Sequence, residues 1–283
     1  AKLLQERALT NNIYVRKCVS AFLYNESLAS DAQKNNYLMM ETKNIKTYPI
    51  FAISRHRILR DGDGITTLVG FGGCPLKCKY CINPGSSKML GFRQCASFQI
   101  FNEVYGDNLY YLATGGGVTF GGGEPLLHPD CIVDFVKLCN ARWKINIETS
   151  FNVPMSAVER VLRIVNEFVV DIKDMNSTIY HNYTGCSNER VIDNLKYVAS
   201  AGYSKKVKIR VPLIPNYNTE EDVLRSIEIL NKIGYSNIER LTYTTDVLNT
   251  EDRKSHVIGI YGKRVCETLR TVRQAIIDST NIE

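Results

Sequence analysis

The stretch ITTLVGFGGCPLKCKYCINPGS, Ile65 to Ser86, decides how the rest of the chain reads. Its first seven residues are apolar or β-branched almost without a break, the pattern of a strand buried on both faces. Gly72, Gly73 and Pro75 then let the backbone turn, and Cys74, Cys78 and Cys81 follow with the spacing C-x3-C-x2-C. The carboxyl end of a strand is where parallel α/β folds place their chemistry. A structural zinc site calls for four ligands, yet the four histidines (His56, His128, His181, His256) show no finger spacing and Cys95 lies well beyond Cys81. Thiolates also hold iron–sulfur clusters, and three of them on a four-iron cubane leave one iron open to a substrate or cofactor. The cluster is the preferred reading; a zinc or purely structural site stays open as the alternative.

Outward from this stretch, short β-branched runs alternate with amphipathic segments. After ITTLVGF come GVTF (Gly117 to Phe120), KINIETS (Lys144 to Ser150), FVVDIKD (Phe168 to Asp174), KVKIRVPLIP (Lys206 to Pro215) and IERLTYTT (Ile238 to Thr245). Helices are expected in HPDCIVDFVKLCNA, in VPMSAVERVLRIVN, and in NTEEDVLRSIEILNKIG, where Thr219 precedes an acidic first turn and Gly234 follows the last apolar position. Cys131 and Cys139 stand at helical spacing in the first of these, as small buried hydrophobes. Six strand–helix repeats predict parallel, right-handed βα units. Six is fewer than the eight of a closed barrel, so the expected α/β fold is an open partial (β/α)6 TIM-like barrel over residues 61–283, ending in a C-terminal helix. Residues 1–60 lack this rhythm and read as an N-terminal extension with one helix near LASDAQKNNYLMMETK.

Composition sets the outer limits. Hydrophobic residues are 44% and charged residues 23% of the 283, the balance of a globular chain rather than a disordered or coiled-coil one. No apolar run approaches the roughly 18 residues of a membrane span, and AKLLQERALTNN has no apolar core for a secretion signal. A net charge of +6 without a block of like charge gives no reason to expect nucleic acid or membrane as a partner, though a mildly basic face suits an acidic protein. Nine cysteines, an odd number, argue against a disulfide scaffold and for a reducing, cytoplasmic setting.

The cysteine loop, with aromatic Tyr80 just before Cys81, resembles the radical S-adenosylmethionine (SAM) superfamily. DGDGITTLVGFGGCPLKCKYCIN is similar to the glycyl-radical-enzyme activases of the pyruvate formate-lyase activating type, with Gly62, Gly64, Gly73, the three cysteines and Asn83 in register with their signature. GGGVTFGGGEPLLHPD, VVDIKDMNSTIYHNYTGCSN and IRVPLIPNYN extend the resemblance over roughly residues 60–245. It implies a radical SAM barrel carrying a 4Fe-4S cluster on Cys74, Cys78 and Cys81, with SAM on the open iron and a 5′-deoxyadenosyl radical as product. It also implies that SAM is bordered by Tyr80, Ile82, Gly122, Gly123, Glu124, Glu148, Ser150, Asp171, Ile172, Lys173 and Arg210. Tyr80 would lie near the adenine, the Glu124 carboxylate would meet the methionine ammonium, and Arg210 would reach the carboxylate or ribose. Blander readings stand beside these: a flexible turn for the glycines, and a structural Asp171–Arg210 ion pair for the buried charges.

The chain departs from the activase pattern in places. Thr66 stands where a basic residue is common, Glu148, Thr149, Ser150 and Phe151 replace Asp-Thr-Asn-Gly, and Thr244 stands where a His is frequent. No cysteine-rich insert separates Gly85 from Gly116, so further clusters are not expected. The resemblance implies hydrogen abstraction from a glycine of a partner glycyl radical enzyme, with flavodoxin or ferredoxin as electron donor. The alternatives are the same radical turned on a ribosomal peptide or small metabolite, and, from another class, a non-catalytic zinc-binding interaction module.

Overall fold

Eight strands form one sheet: β1 (Tyr48–Ile58), β2 (Ile65–Phe71), β3 (Arg93–Cys95), β4 (Gly117–Gly122), β5 (Lys144–Thr149), β6 (Glu167–Asp171), β7 (Val207–Leu213) and β8 (Ile238–Thr242). These come from a computed structural model that describes residues 45–58, 62–86 and 91–242. The order is β3-β1-β2-β4-β5-β6-β7-β8, and all six sequence-expected runs lie side by side in chain order with every pairing between them parallel. The fold is α/β, an open sheet of the partial-barrel kind, as the count of βα repeats requires. The expected helix within 28–43, the C-terminal helix and Thr244 lie outside the described residues.

Two antiparallel strands were not anticipated. β1 pairs with β2, and β3 pairs with the first three residues of β1. The boundary expected at 60/61 lies outside the described residues; β1 and β2 pair on either side of it, and one of the chain's two compact units begins at Thr47. The reason lies in the pattern of β1. Register shifts at Ile50/Ala52 and Ser54/Arg57 break its alternation, and His56 takes a left-handed backbone, φ 56°, inside the second shift.

Seven α-helices connect the described strands: α1 (Ser97–Tyr105), α2 (Asn108–Thr114), α3 (Pro129–Val136), α4 (Met155–Leu162), α5 (Ser177–Thr184), α6 (Glu189–Ser200) and α7 (Glu220–Ile233). α7 has the expected ends, a Thr219–Asp222 capping box and Gly234 at φ 112°. α3 stops at Val136, short of the expected span, so Cys131 is buried on the helix while Cys139 lies beyond it, its Sγ 3.3 Å from the Phe135 carbonyl. Behind β4, the rings of Phe101, Tyr111, Phe120, Phe135 and Trp143 pack edge to face and stacked at centroid distances of 4.8–6.1 Å. None of the helices among the described residues is long and apolar enough to cross a membrane.

At the α1–α2 junction, Asp107 is fully buried and ties β1 to this helical layer. It accepts from Arg55 Nε (2.8 Å), Arg55 Nη2 (2.5 Å) and Thr67 Oγ1 (3.0 Å), with His56 Nε2 at 2.8 Å. Burial works against its charge, but the Arg55 and Thr67 donors and the neighbouring positive charges hold its pKa below the usual carboxylate value. Such a group lends stability above its unfolded pKa and loses it as pH falls through the folded value. Asp107→Asn is therefore expected to cost about 2 kcal/mol at pH 7, the scale of hydrogen bonds to a charged group with a half-exposed partner. In urea melts the gap from the parent chain should narrow below about pH 4.

Candidate active site

The cysteine loop is stitched to the carboxyl end of β4 by main-chain contacts. Gly123 N donates to Phe71 O (2.9 Å), Glu124 N to Gly73 O (2.8 Å), and Gly73 N to Ser86 O (2.6 Å), while Asn83 Nδ2 reaches Gly122 O (3.2 Å). A Cβ on Gly123 would stand 2.1 Å from Gly73 O, and Gly122 holds φ 93°. These glycines are thus required by the approach of two backbones, and the turn is not a flexible one.

Cys74, Cys78 and Cys81 all lie on this loop, and every described cysteine is a free thiol. Cys74 and Cys78 are half-buried, and Cys81 is exposed. Burial pushes the Cys74 thiol up to about 12, against the Leu76 amide, with Glu124, Cys78 and Cys81 adding to the rise. Burial raises Cys78 as well, opposed chiefly by the Lys173 ammonium. Among the described residues no group of three His, Cys, Asp or Glu side chains is gathered as a ready metal-ion site. What the loop offers is a donor set of three reduced thiols on one short stretch of chain, and iron replaces the proton on such sulfurs. That chemistry fits an iron–sulfur cluster.

Glu124 is held from several sides. Its side chain is fully buried, and Oε1 accepts from Thr149 Oγ1 (2.7 Å) and Leu126 N (3.1 Å), Oε2 from Ser150 N (2.9 Å) and Ser150 Oγ (2.7 Å). Four donors take up the four acceptor directions of the carboxylate, and Glu124 struts the ends of β4 and β5. Burial raises its pKa, with the Ser150, Thr149 and Leu126 donors acting against the rise. Ser150 is spent on the same strut. Phe151, in the place of the activase glycine, keeps the glycine-like backbone at φ 56° while its ring is buried against Phe168. A bulky residue there stores local strain.

The charged residues pair differently from the Asp171–Arg210 bridge of the blander reading. Asp171 and Arg210 are register partners on β6 and β7, yet Arg210 Nη1 bonds Glu148 Oε1 (2.9 Å), with Glu239 at 3.7 Å, and Asp171 bonds Lys173 Nζ (3.2 Å). Burial disfavours the Arg210 charge, but Glu148, Asp171 and Glu239 outweigh it and raise its pKa. Ile172 is wholly buried. Tyr80 stands among Tyr183 and Tyr217, with Asn216 Nδ2 3.3 Å from its hydroxyl, whereas Ile82 is 74% exposed. Glu239 and Asn216 were not singled out from the sequence; only Asn216, left-handed at φ 67° within the NYN run, carried a turn signal.

The geometry is that of a strand-end thiol loop faced by paired charges from the neighbouring strands. The sequence profile of the family described as "Radical SAM superfamily" matches residues 68–230. The chain belongs to the radical SAM superfamily. Its cofactors are those of the superfamily, a 4Fe-4S cluster and SAM. This radical SAM chain is 31% identical over 197 residues to the pyruvate formate-lyase-activating enzyme of Clostridium pasteurianum, spanning 69% of this chain and 82% of that enzyme. It is 26% identical over 249 residues to the (2S)-3-sulfopropanediol dehydratase activating enzyme of Klebsiella oxytoca, spanning 65% and 78%. The crystal structure of Streptococcus suis SuiB bound to precursor peptide SuiA aligns at TM-score 0.51 and 16% identity over 89% of this chain and 52% of that one, a likeness of fold.

Because two Ser150 donors converge on one Glu124 oxygen, an amide there leaves donors facing donors. Glu124→Gln is expected to destabilise the cofactor-free chain by about 1–3 kcal/mol, read as a lower unfolding midpoint. An unchanged midpoint would show that the carboxylate is not a strut.

Proposed function

We propose that this radical SAM enzyme is a glycyl-radical-enzyme activase, acting on a glycine of a partner protein. When bound, the cluster and SAM supply one-electron cleavage of the sulfonium bond, giving methionine and a 5′-deoxyadenosyl radical that takes hydrogen from the glycine Cα. The chain's own contribution is to bind and orient. Cys74, Cys78 and Cys81 hold iron from one short loop. The main chain of Gly121 to Gly123 borders it closely, and Tyr80 offers an aromatic wall beside the loop. The Lys173 ammonium lies near enough to Cys78 to favour its thiolate. Glu148 on β5 and Arg210 on β7 form a paired, part-buried charge set across β6, with a guanidinium for an anionic group of a ligand.

The observation that carries this reading is the 31% identity to an activating enzyme across 82% of that enzyme's length. A partner protein as substrate, a flavodoxin or ferredoxin as reductant, and a cytoplasmic setting belong to the same reading. In the test, the anaerobically loaded and reduced chain is incubated with SAM and candidate glycyl radical enzymes. A glycine-centred doublet in the electron paramagnetic resonance spectrum is expected with one of them; its absence with every candidate would count against the activase. Cys78→Ala should remove the cluster absorbance and 5′-deoxyadenosine release together, and retained release would refute the ligand set.

A further inference from the structure

The cysteine loop is gripped from outside by the turn that ends α5. Lys77 N donates to Thr184 O (2.8 Å) and Lys79 N to Tyr183 O (3.2 Å), two rungs spanning the segment between the first and third cysteines. One further contact comes from Cys186, whose Sγ lies 3.3 Å from the carbonyl oxygen of Pro75. Cys186 is itself fixed. Its amide donates to Thr184 Oγ1 (3.2 Å), and that buried hydroxyl donates to Tyr180 O (2.7 Å). Gly185, between them, holds the left-handed conformation at φ 75° that closes the helix.

The Pro75 carbonyl belongs to the same peptide unit as the Leu76 amide. In a trans peptide the two point in opposite directions, so anchoring one aims the other. The Leu76 N–H therefore points away from Cys186. We infer that Cys186 is a positioning residue for the cluster loop: through the Pro75 carbonyl it orients the Leu76 N–H toward the sulfur of Cys74. Hydrogen bonds to ligand sulfurs stabilise the more negative, reduced form of an iron–sulfur cluster and so raise its potential. Cys186 touches neither iron nor SAM in this role; it acts through one peptide plane. The inference rests on Cys74 being a cluster ligand, and it does not depend on which protein the radical attacks.

Three variants separate the hydrogen bond from packing. Cys186→Ser keeps a donor, Cys186→Val keeps bulk without a donor, and Cys186→Ala keeps neither. Each is loaded anaerobically, its iron and sulfide are measured, and the cluster midpoint is determined by a redox titration without SAM. Expected is a more negative midpoint, or weaker cluster retention, in the Val and Ala forms, with the Ser form at the parent value. Equal midpoints and retention in all four proteins would overturn the inference, as would a Val form matching the parent while Ser follows Ala. A parent chain that takes up no cluster would overturn the ligand assignment and this inference with it.

Discussion

Everything at the site depends on how closely two backbones meet where β2 and β4 end. The rungs from Gly123 to Phe71 and from Glu124 to Gly73 carry the sheet's hydrogen bonding past its last regular pair and into the cysteine loop. That contact tolerates no side chain, since a Cβ on Gly123 would overlap the Gly73 carbonyl. Three thiols on a free loop would face a large ordering cost on meeting a cofactor, whereas here the loop's first turn is already part of the sheet. The glycine run and the cysteine run are thus one structural device, although some forty residues separate them in the chain.

Around that device the charges are arranged in pairs rather than left pointing into the site. Glu124 is consumed by Ser150, Thr149 and Leu126, Asp171 is matched by Lys173, and Glu148 by Arg210. Pairing is what part-buried charges demand, because an unpaired one is costly away from water. The Glu148–Arg210 pair also shows how one departure from the activase pattern is absorbed. A carboxylate one methylene longer than aspartate reaches a guanidinium across β6, from β5 to β7.

Much of the fold was legible because its signals are local and repeated. β2 and β4 are buried on both faces and so appear as nearly unbroken apolar runs, and Thr219 and Gly234 mark α7 at both ends. The cysteine loop was equally plain, since its ligands and glycines lie within one short stretch. β1 and β3 were not legible: one is bent by two register shifts and carries Arg55, His56 and Arg57 on a half-exposed surface, and the other has three residues. Side-chain partners were the least legible. Sequence showed that Lys173 and Arg210 need an anionic partner, but Glu148, which answers Arg210, comes from another strand and is fixed only by register. Cys186 gave no sign of its contact because Pro75 is 111 positions away.

The sequential order of the parallel strands bears on how the polypeptide emerges from synthesis. From β5 onward, each new strand is laid against the one made just before it, so its neighbour exists before it does. Assembly can follow translation, with the most recent strand always forming the growing margin. That margin presents unsatisfied peptide groups until the next βα unit arrives, which makes each pause a moment of exposure to wrong pairing with another chain. On the opposite side the margin is sealed early, because β1 precedes β2 and covers it from the start. Once β3 has covered β1, growth has one direction only.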